Sequence, residues 1–225
     1  MAVWYTIPSV RPPDEAMAAL SRWVSRGYKV AVQRDEDATS LPVDLCWHGP
    51  YKGYANAVNK LVMMVLERDP ECEWVVTGGD DVLPDPDHDP AVIAAELMEH
   101  FGGTLGVMQP TGDRYMEDDS GRCAAERVCI SPWMGREFCE RSYGGDGPLW
   151  HEYFHEFVDE ELHGVARMLG VLWHRPDLNQ YHAWWGREGK EQPEHLKHLA
   201  ARWDGAKALF ERREAAGFPG SELLP

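Results

Sequence analysis

"EWVVTGGDDV", residues 73–82, decides how the chain is read. Trp74, Val75 and Val76 form a short apolar run of the kind that builds a buried strand. The run stops at paired glycines, and adjacent carboxylates follow at once. A strand that ends in Gly78-Gly79-Asp80-Asp81 suits a hard divalent cation carrying a nucleotide diphosphate. The carboxylates supply hard oxygen ligands, and the glycines let backbone and ligand approach closely. A solvated acidic turn has the same local spelling, so the flanking segments must decide.

Upstream, Ala55, Val58, Leu61, Val62, Val65 and Leu66 make a wide apolar stripe that predicts a helix over about 52–68. Further back, "VWYTIP" (3–8) and "YKVAVQR" (28–34) read as strands, with a short "VDLCW" after them. Between them "DEAMAALSRWVSRG" reads as a helix, with Met17, Leu20 and Val24 on one face and Gly27 as its stop. Downstream come a helix near 90–101 and the strand "LGVMQP" (105–110). This β-α-β-α-β order predicts a mostly parallel sheet with helices on both faces. Ligands of such sheets bind beyond the carboxyl ends of the strands. That rule places Pro8–Arg11, Asp35–Asp37 and Gly79–Asp81 along one edge.

The second half is less regular. Residues 111–127 are polar and loop-like, "RVCISPW" reads as a strand, "MGREFCERS" as a short helix and "YGGDGP" as a turn. Leu162, Val165, Ala166 and Leu169 define a helix from Val158, stopped by Gly170. "VLWHRP" reads as a strand and "YHAWWGREG" as a loop. A last helix is expected at about 193–214, burying Leu196, Leu199, Trp203, Ala206 and Phe210.

Composition bounds the function. The 225 residues are 44% hydrophobic, enough for a full α/β core, and no apolar run approaches the roughly 20 residues of a membrane span. "MAVWYTIPSVRPP" lacks a basic leader and meets Pro8 too early for a signal peptide, so a cytoplasmic protein is expected. The cysteines at 46, 72, 123, 129 and 139 make no C-x-x-C pair and are odd in number, which predicts reduced, mostly buried thiols. A net charge of −16 opposes non-specific binding to nucleic acid or anionic membrane. An acidic chain still handles nucleotides when a divalent cation screens their phosphates.

Three further segments carry candidate chemistry. "KGYANAVNKL" (52–61) places Gly53 at a helix start and Asn56, Asn59 and Lys60 on its early turns, where phosphate or ribose can be held; a plain surface helix is the alternative. Asp159 stands at a helix N-terminus, where the dipole is expected to keep it ionised and fit to act as a general base; a capping role is the alternative. His182 lies in a polar-aromatic loop, as a third metal ligand or as an exposed histidine. "HEYFH" (151–155) spells H-E-x-x-H, which on a helix binds Zn²⁺ with Glu152 as base. Against a zinc metallohydrolase, Glu156 follows the second histidine, and Val158 and Glu161 stand where the extended motif needs glycine and histidine.

Taken in order, "IPSVRPP", "QRDED", "GYANAVN", "WVVTGGDDV", "VDEEL…LG" and the later histidine resemble the inverting sugar-nucleotide-dependent glycosyltransferases of the GT-A fold, family-2-like, over about residues 3–185. The resemblance implies a three-layer α/β/α sandwich with a mostly parallel central sheet. Residues 1–110 would form the nucleotide-sugar-binding half, 111–190 the acceptor and catalytic half of the same domain, and 191–225 a C-terminal helix and tail. It implies Mn²⁺ or Mg²⁺ held by Asp81, Asp80 and His182, as at a D-x-D position, and transfer from a nucleoside-diphosphate sugar such as a UDP-sugar. Asp159 would deprotonate the acceptor hydroxyl, and the anomeric centre would invert. Ile7, Pro8, Arg11, Asp35, Gly53, Asn59 and Asp80 would line the nucleotide-sugar pocket. The acceptor would be a glycan, a small molecule, a protein or a modified nucleic-acid base. "GGDD" is not a plain D-x-D, which leaves the roles of Asp80 and Asp81 open. Val158 precedes Asp159 where the family has an acid, so Glu160 and Glu161 compete for the base role. A non-catalytic relative that only binds sugar nucleotides is the remaining alternative. Trp133, Trp150, Trp184 and Trp185 are candidates to stack on a sugar or base, or to be core.

Overall fold

The strands of a computed structural model, which describes residues 2–197 and 199–224, join in one seven-stranded sheet. β1 (Ala2–Pro8), β2 (Lys29–Arg34), β3 (Leu45–His48), β4 (Cys72–Val76), β5 (Val107–Pro110), β6 (Trp133–Gly135) and β7 (Leu172–Arg175) are ordered β3-β2-β1-β4-β6-β5-β7. Every pairing is parallel except those of β6, which runs antiparallel to both β4 and β5. The mostly parallel sheet predicted from the element order is therefore the observed one. The expected strand at "RVCISPW" is not formed until its last residue: Trp133 opens β6, and a short 3₁₀ turn, Ala124–Glu126, precedes it.

Side-chain alternation on the strands supplies the layers. Trp4, Ala31, Val75, Val107 and Met134 face one way. There they meet α2 (Tyr54–Arg68), α4 (Arg136–Arg141) and α5 (Val158–Met168). Tyr5, Ile7, Val30, Val32, Trp74, Val76 and Met108 face the other way, against α1 (Pro13–Ser25) and α3 (Pro90–Phe101). This is a three-layer α/β/α sandwich. The stripe read on α2 is buried to the last residue, and each such aliphatic side chain contributes roughly 1.5–3 kcal/mol. The stripe on α1 is rotated from its expected face. Ala16, Leu20 and Trp23 are buried and Val24 is 46% exposed, because Trp23 offers the larger area and stacks on Tyr5 at 3.7 Å.

The single C-terminal helix expected at 193–214 is broken. It becomes α6 (Glu194–Lys197), a 3₁₀ turn (Leu199–Arg202) and α7 (Trp203–Ala215), with position 198 outside the described residues. Trp203 is 46% exposed, whereas Arg213 is buried. The cysteines are free, four of them buried. Among the described residues no helix is long and apolar enough to cross a membrane.

Candidate active site

β1 and β4 end side by side, and the turn after β4 is held from beneath. Thr77 donates from Oγ1 to the Thr6 carbonyl at 2.7 Å, and Tyr5 donates to the Gly79 carbonyl at 2.6 Å. Tyr54, at the start of α2, donates to the Gly78 carbonyl at 3.2 Å. With its carbonyls tied down, the turn presents both carboxylates at the sheet edge.

Asp80 and Asp81 point to different partners. Asp80 accepts from Ser9 Oγ at 2.7 Å and pairs with Arg11 Nε at 2.9 Å, so both its oxygens serve the loop after β1. That loop is fixed in turn by the buried Arg34 guanidinium, which donates to the Ser9 and Arg11 carbonyls at 2.8 and 2.7 Å. Asp81 Oδ1 instead lies 3.3 Å from His182 Nε2. The histidine is delivered by an antiparallel bridge between Val82 and His182, with Leu83 N–H on the Tyr181 carbonyl and Ala183 N–H on the Asp81 carbonyl. Burial alone would raise the Asp81 carboxyl. The hydrogen bond and charge of His182, its own backbone N–H and Arg11 outweigh that, so it lies below the usual range. His182 Nδ1 is buried without a partner.

The opposite wall is the first turn of α5. Asp159 is half-buried there, and its backbone carbonyl accepts from Cys129 N–H at 3.2 Å. Burial first, then the charge and hydrogen bonding of Glu160, push the Asp159 carboxyl well above the carboxylate range. The helix dipole is not the dominant influence on this carboxyl, contrary to what the helix position alone suggested. A helix terminus supplies typically 0.3–1 kcal/mol, less than the desolvation of a carboxylate beside a second acid. Glu161 leaves the contest for the base role. It is 1% exposed, and its oxygens accept from Tyr143 and Tyr153 hydroxyls at 2.9 Å each and from Arg213 in a double hydrogen bond at 2.7 Å. Glu160 stays beside Asp159 with Oε2 buried and unpartnered.

The charges of Asp81 and Asp159 are both felt by two phenols, Tyr54 and Tyr115. Burial and these charges push Tyr115 up to about 12. Its ring lies 4.6 Å from that of His182 and 6.2 Å, edge-on, from that of Trp184.

The remaining expected ligands fall into different places. Pro8 ends β1 at the site edge, but the Ile7 side chain is fully buried in the core. Asp35 is exposed next to Tyr51, whose phenol burial pushes up to about 12 with Arg202 opposing. Gly53 and Asn59 serve architecture rather than a ligand. Gly53 has φ 105 and lies so close to Phe154 that a Cβ would stand 2.8 Å from its backbone. Both amide atoms of Asn59 are taken by the backbone of Leu149, at 2.7 and 3.0 Å. Trp133 is fully buried core, and Trp150 packs under the Arg213 guanidinium. Trp184 and Trp185 are half-buried beside the site.

The H-E-x-x-H stretch lacks the helix that zinc binding requires. Residues 151–157 contain no helix, His155 Nδ1 lies 3.6 Å from Glu156, and Glu152 accepts from Trp150. Among the described residues no cluster of three or more His, Cys, Asp or Glu side chains is arranged to hold a metal ion. Asp81 and His182 are a two-residue donor set. That fits Mg²⁺ or Mn²⁺, which keep several waters and take phosphate oxygens, better than a closed protein cage.

Sequence reasoning missed Ser9, Arg34, Tyr54, Tyr115 and Arg213. Tyr54 lay inside a motif already singled out, whereas Tyr115 sits in a polar loop with no period to mark it.

No protein-family model matches the chain, and no curated protein matches it in sequence. Among solved structures, the catalytic domain of Drosophila beta1,4-galactosyltransferase 7, crystallised with xylobiose, superimposes with a TM-score of 0.51 at 12% identity. The match covers 81% of this chain and 67% of that chain. A protein from STIV superimposes with a TM-score of 0.37 at 16% identity over 61% of this chain and 66% of that one, a level on which nothing rests. The first likeness shows the fold: a GT-A-like α/β sandwich of the kind that carries glycosyltransferase catalytic sites.

Proposed function

We propose that this chain transfers a sugar from a nucleoside-diphosphate sugar to an acceptor hydroxyl, inverting the anomeric centre in one displacement. One observation carries the reading. In a GT-A-like fold, the Asp81–His182 pair lies at the end of β4 with the Tyr115 ring against His182, and the charges of Asp81 and of Asp159, at the tip of α5, both act on Tyr54 and Tyr115.

Asp81 and His182 would hold Mn²⁺ or Mg²⁺, which when bound stabilises the negative charge of a departing diphosphate. Asp80 keeps the loop carrying Ser9 and Arg11 against the sheet edge, beside Pro8 and Asp35, where a nucleoside would lie. Asp159 takes the acceptor proton as the acceptor oxygen forms its bond to the anomeric carbon. The bond from that carbon to the diphosphate oxygen breaks with its electron pair. A raised carboxyl pKa suits this task, because a base accepts a proton best when its pKa approaches the working pH.

The direct test is thermal stability with UDP. UDP with Mn²⁺ or Mg²⁺ should raise the melting temperature, UDP with EDTA should not, and Asp81→Ala should abolish the rise. At a ligand concentration about 100 times Kd, the gain is about 2.7 kcal/mol. A UDP shift that survives EDTA unchanged refutes the metal assignment.

A further inference from the structure

We propose that Tyr115 reads a hydroxyl of the sugar being transferred, donating a hydrogen bond to it from its phenol; this rests on the donor-site reading above.

Two phenols, Tyr54 and Tyr115, feel the charges of both Asp81 and Asp159, and their hydroxyls differ. Tyr54 spends its hydroxyl on Thr77 Oγ1 at 3.0 Å and the Gly78 carbonyl. The Tyr115 hydroxyl has no hydrogen-bond partner among the described residues and is not sealed from solvent. Of the two phenols, Tyr115 is the one with a free donor. The diphosphate belongs at the Asp81–His182 end and the acceptor oxygen at Asp159. What lies between them in a single displacement is the sugar ring. The faces of Tyr115, His182 and Trp184, at 4.6 and 6.2 Å from ring to ring, give that ring an apolar wall.

The loop is built to hold this side chain. Arg114 (φ 49) and Met116 (φ 50), on either side of Tyr115, occupy the left-handed region that non-glycine residues avoid. Such strain persists only where the surroundings over-determine it, and it gathers at functional sites. Here the determinants are visible. The buried Asp113 accepts from Arg187 at 2.8 and 2.9 Å and from His182 N–H at 3.2 Å. Arg114 donates to Glu117 at 2.6 and 2.5 Å and to the Gly121 carbonyl at 3.0 Å, and the Tyr115 carbonyl accepts from Ala124 N–H at 2.8 Å. Both flanks are pinned, and only the ring and its hydroxyl are left for a ligand.

Tyr115→Phe deletes the hydroxyl and keeps the ring. Calorimetric titrations with Mn²⁺ would compare matched pairs of UDP with UDP-hexoses, GDP with GDP-hexoses and dTDP with dTDP-hexoses. For the pair the wild type prefers, Tyr115→Phe should weaken the sugar nucleotide about three- to tenfold, as one neutral hydrogen bond predicts. The bare diphosphate should bind within about twofold of wild type. Tyr115→Ala should lose more by removing the wall. Equal loss for diphosphate and sugar nucleotide overturns the inference and assigns Tyr115 to the diphosphate or to the support of His182. Unchanged affinity for both overturns it as well. If the wild type binds none of these nucleotides, the donor-site reading itself falls and takes the inference with it.

Discussion

Two of the three carboxylates in the first turn of α5 have opposite surroundings. Asp159 and Glu161 are two positions apart, so they leave the helix on opposite sides. Glu161 enters the core and meets a complete set of partners: a guanidinium fork and two phenols. Asp159 faces the site among other acids and phenols, with no cation beside it except His155 at a distance. One carboxylate is satisfied and the other is kept hungry. The same division runs through the molecule. Asp80 and Asn59 have their side-chain polar atoms filled by protein, and they build the scaffold; His182 Nδ1 and the Tyr115 hydroxyl do not, and they sit at the site with Asp159, whose carboxyl has only a second acid, Glu160, as its side-chain partner. Paired groups stabilise the native state, whereas uncompensated ones cost stability and persist where a ligand completes them.

The largest effect expected from this contrast lies on the satisfied side. Arg213→Met leaves Glu161 buried with its charge uncompensated, which should cost about 3–5 kcal/mol in urea unfolding. The double change Arg213→Met with Glu161→Leu should recover much of that loss, because replacing both partners of a buried pair is often near neutral. If Arg213→Met costs less than about 1 kcal/mol, the pair is not what fastens α7 to α5.

On the hungry side the sign of the stability effect inverts. Asp159→Asn should lower transfer by at least about a hundredfold, in kcat rather than donor KM, since base catalysis is worth about 10²–10⁴. A carboxyl whose folded pKa is raised contributes stability below its unfolded pKa and loses it as pH rises through the folded value. The asparagine variant escapes that loss, so it should melt higher than wild type at pH 7–8 and no higher at pH 3. The wild-type rate should fall toward acid with an apparent pKa above the ordinary carboxylate range. Near-normal transfer by Asp159→Asn, with loss in Glu160→Gln, moves the base by one residue.

How much of this contrast the sequence carried follows from the range of the interactions. The strand ends and the α2 stripe are local patterns, and they read correctly from period and composition alone. The C-terminal helix did not. Its apolar spacing suggested Trp203 on the buried side, but the residue that goes in is Arg213, because its counter-charge waits 52 residues upstream. No window along the chain contains both. His182 likewise gains meaning only from the bridge that lays it against Val82. Asp80 and Asp81 look alike in one dimension and part company only when Ser9 and Arg11 arrive from β1. Burial misled in the same way: the helix position of Asp159 is legible, but its desolvation by neighbours distant in sequence is not.

The smallest expected effect tests whether every uncompensated polar group marks a ligand. His163 on α5 and His174 on β7 stack with ring centroids 5.5 Å apart, and the Nε2 of each is buried without a partner. They line an outer pocket of about 340 Å³ with Glu126 and Arg167, away from Tyr115 and His182. Their near-parallel rings, 22° apart, do not converge on a common ligand atom. The pair is therefore expected to act on stability alone. Burial, the His174 ring and Arg167 lower His163 to about 4, and burial lowers His174 too. A histidine with a depressed folded pKa keeps its contribution above the unfolded value near 6.5 and loses it as pH falls toward the folded one. His163 should thus add a positive contribution to the slope of unfolding free energy against pH between about pH 4 and 6.5, up to about 1.4 kcal/mol per pH unit, His174 adds in the same direction, and both oppose the negative contribution of Asp159. His163→Leu should remove about one histidine's share of that slope, change stability at pH 7.5 by about 1 kcal/mol or less, and leave transfer kinetics within about twofold. A large kinetic loss at pH 7.5 would show that an unpartnered atom outside the gap also serves the reaction. The division between filled and hungry groups would then no longer locate the site.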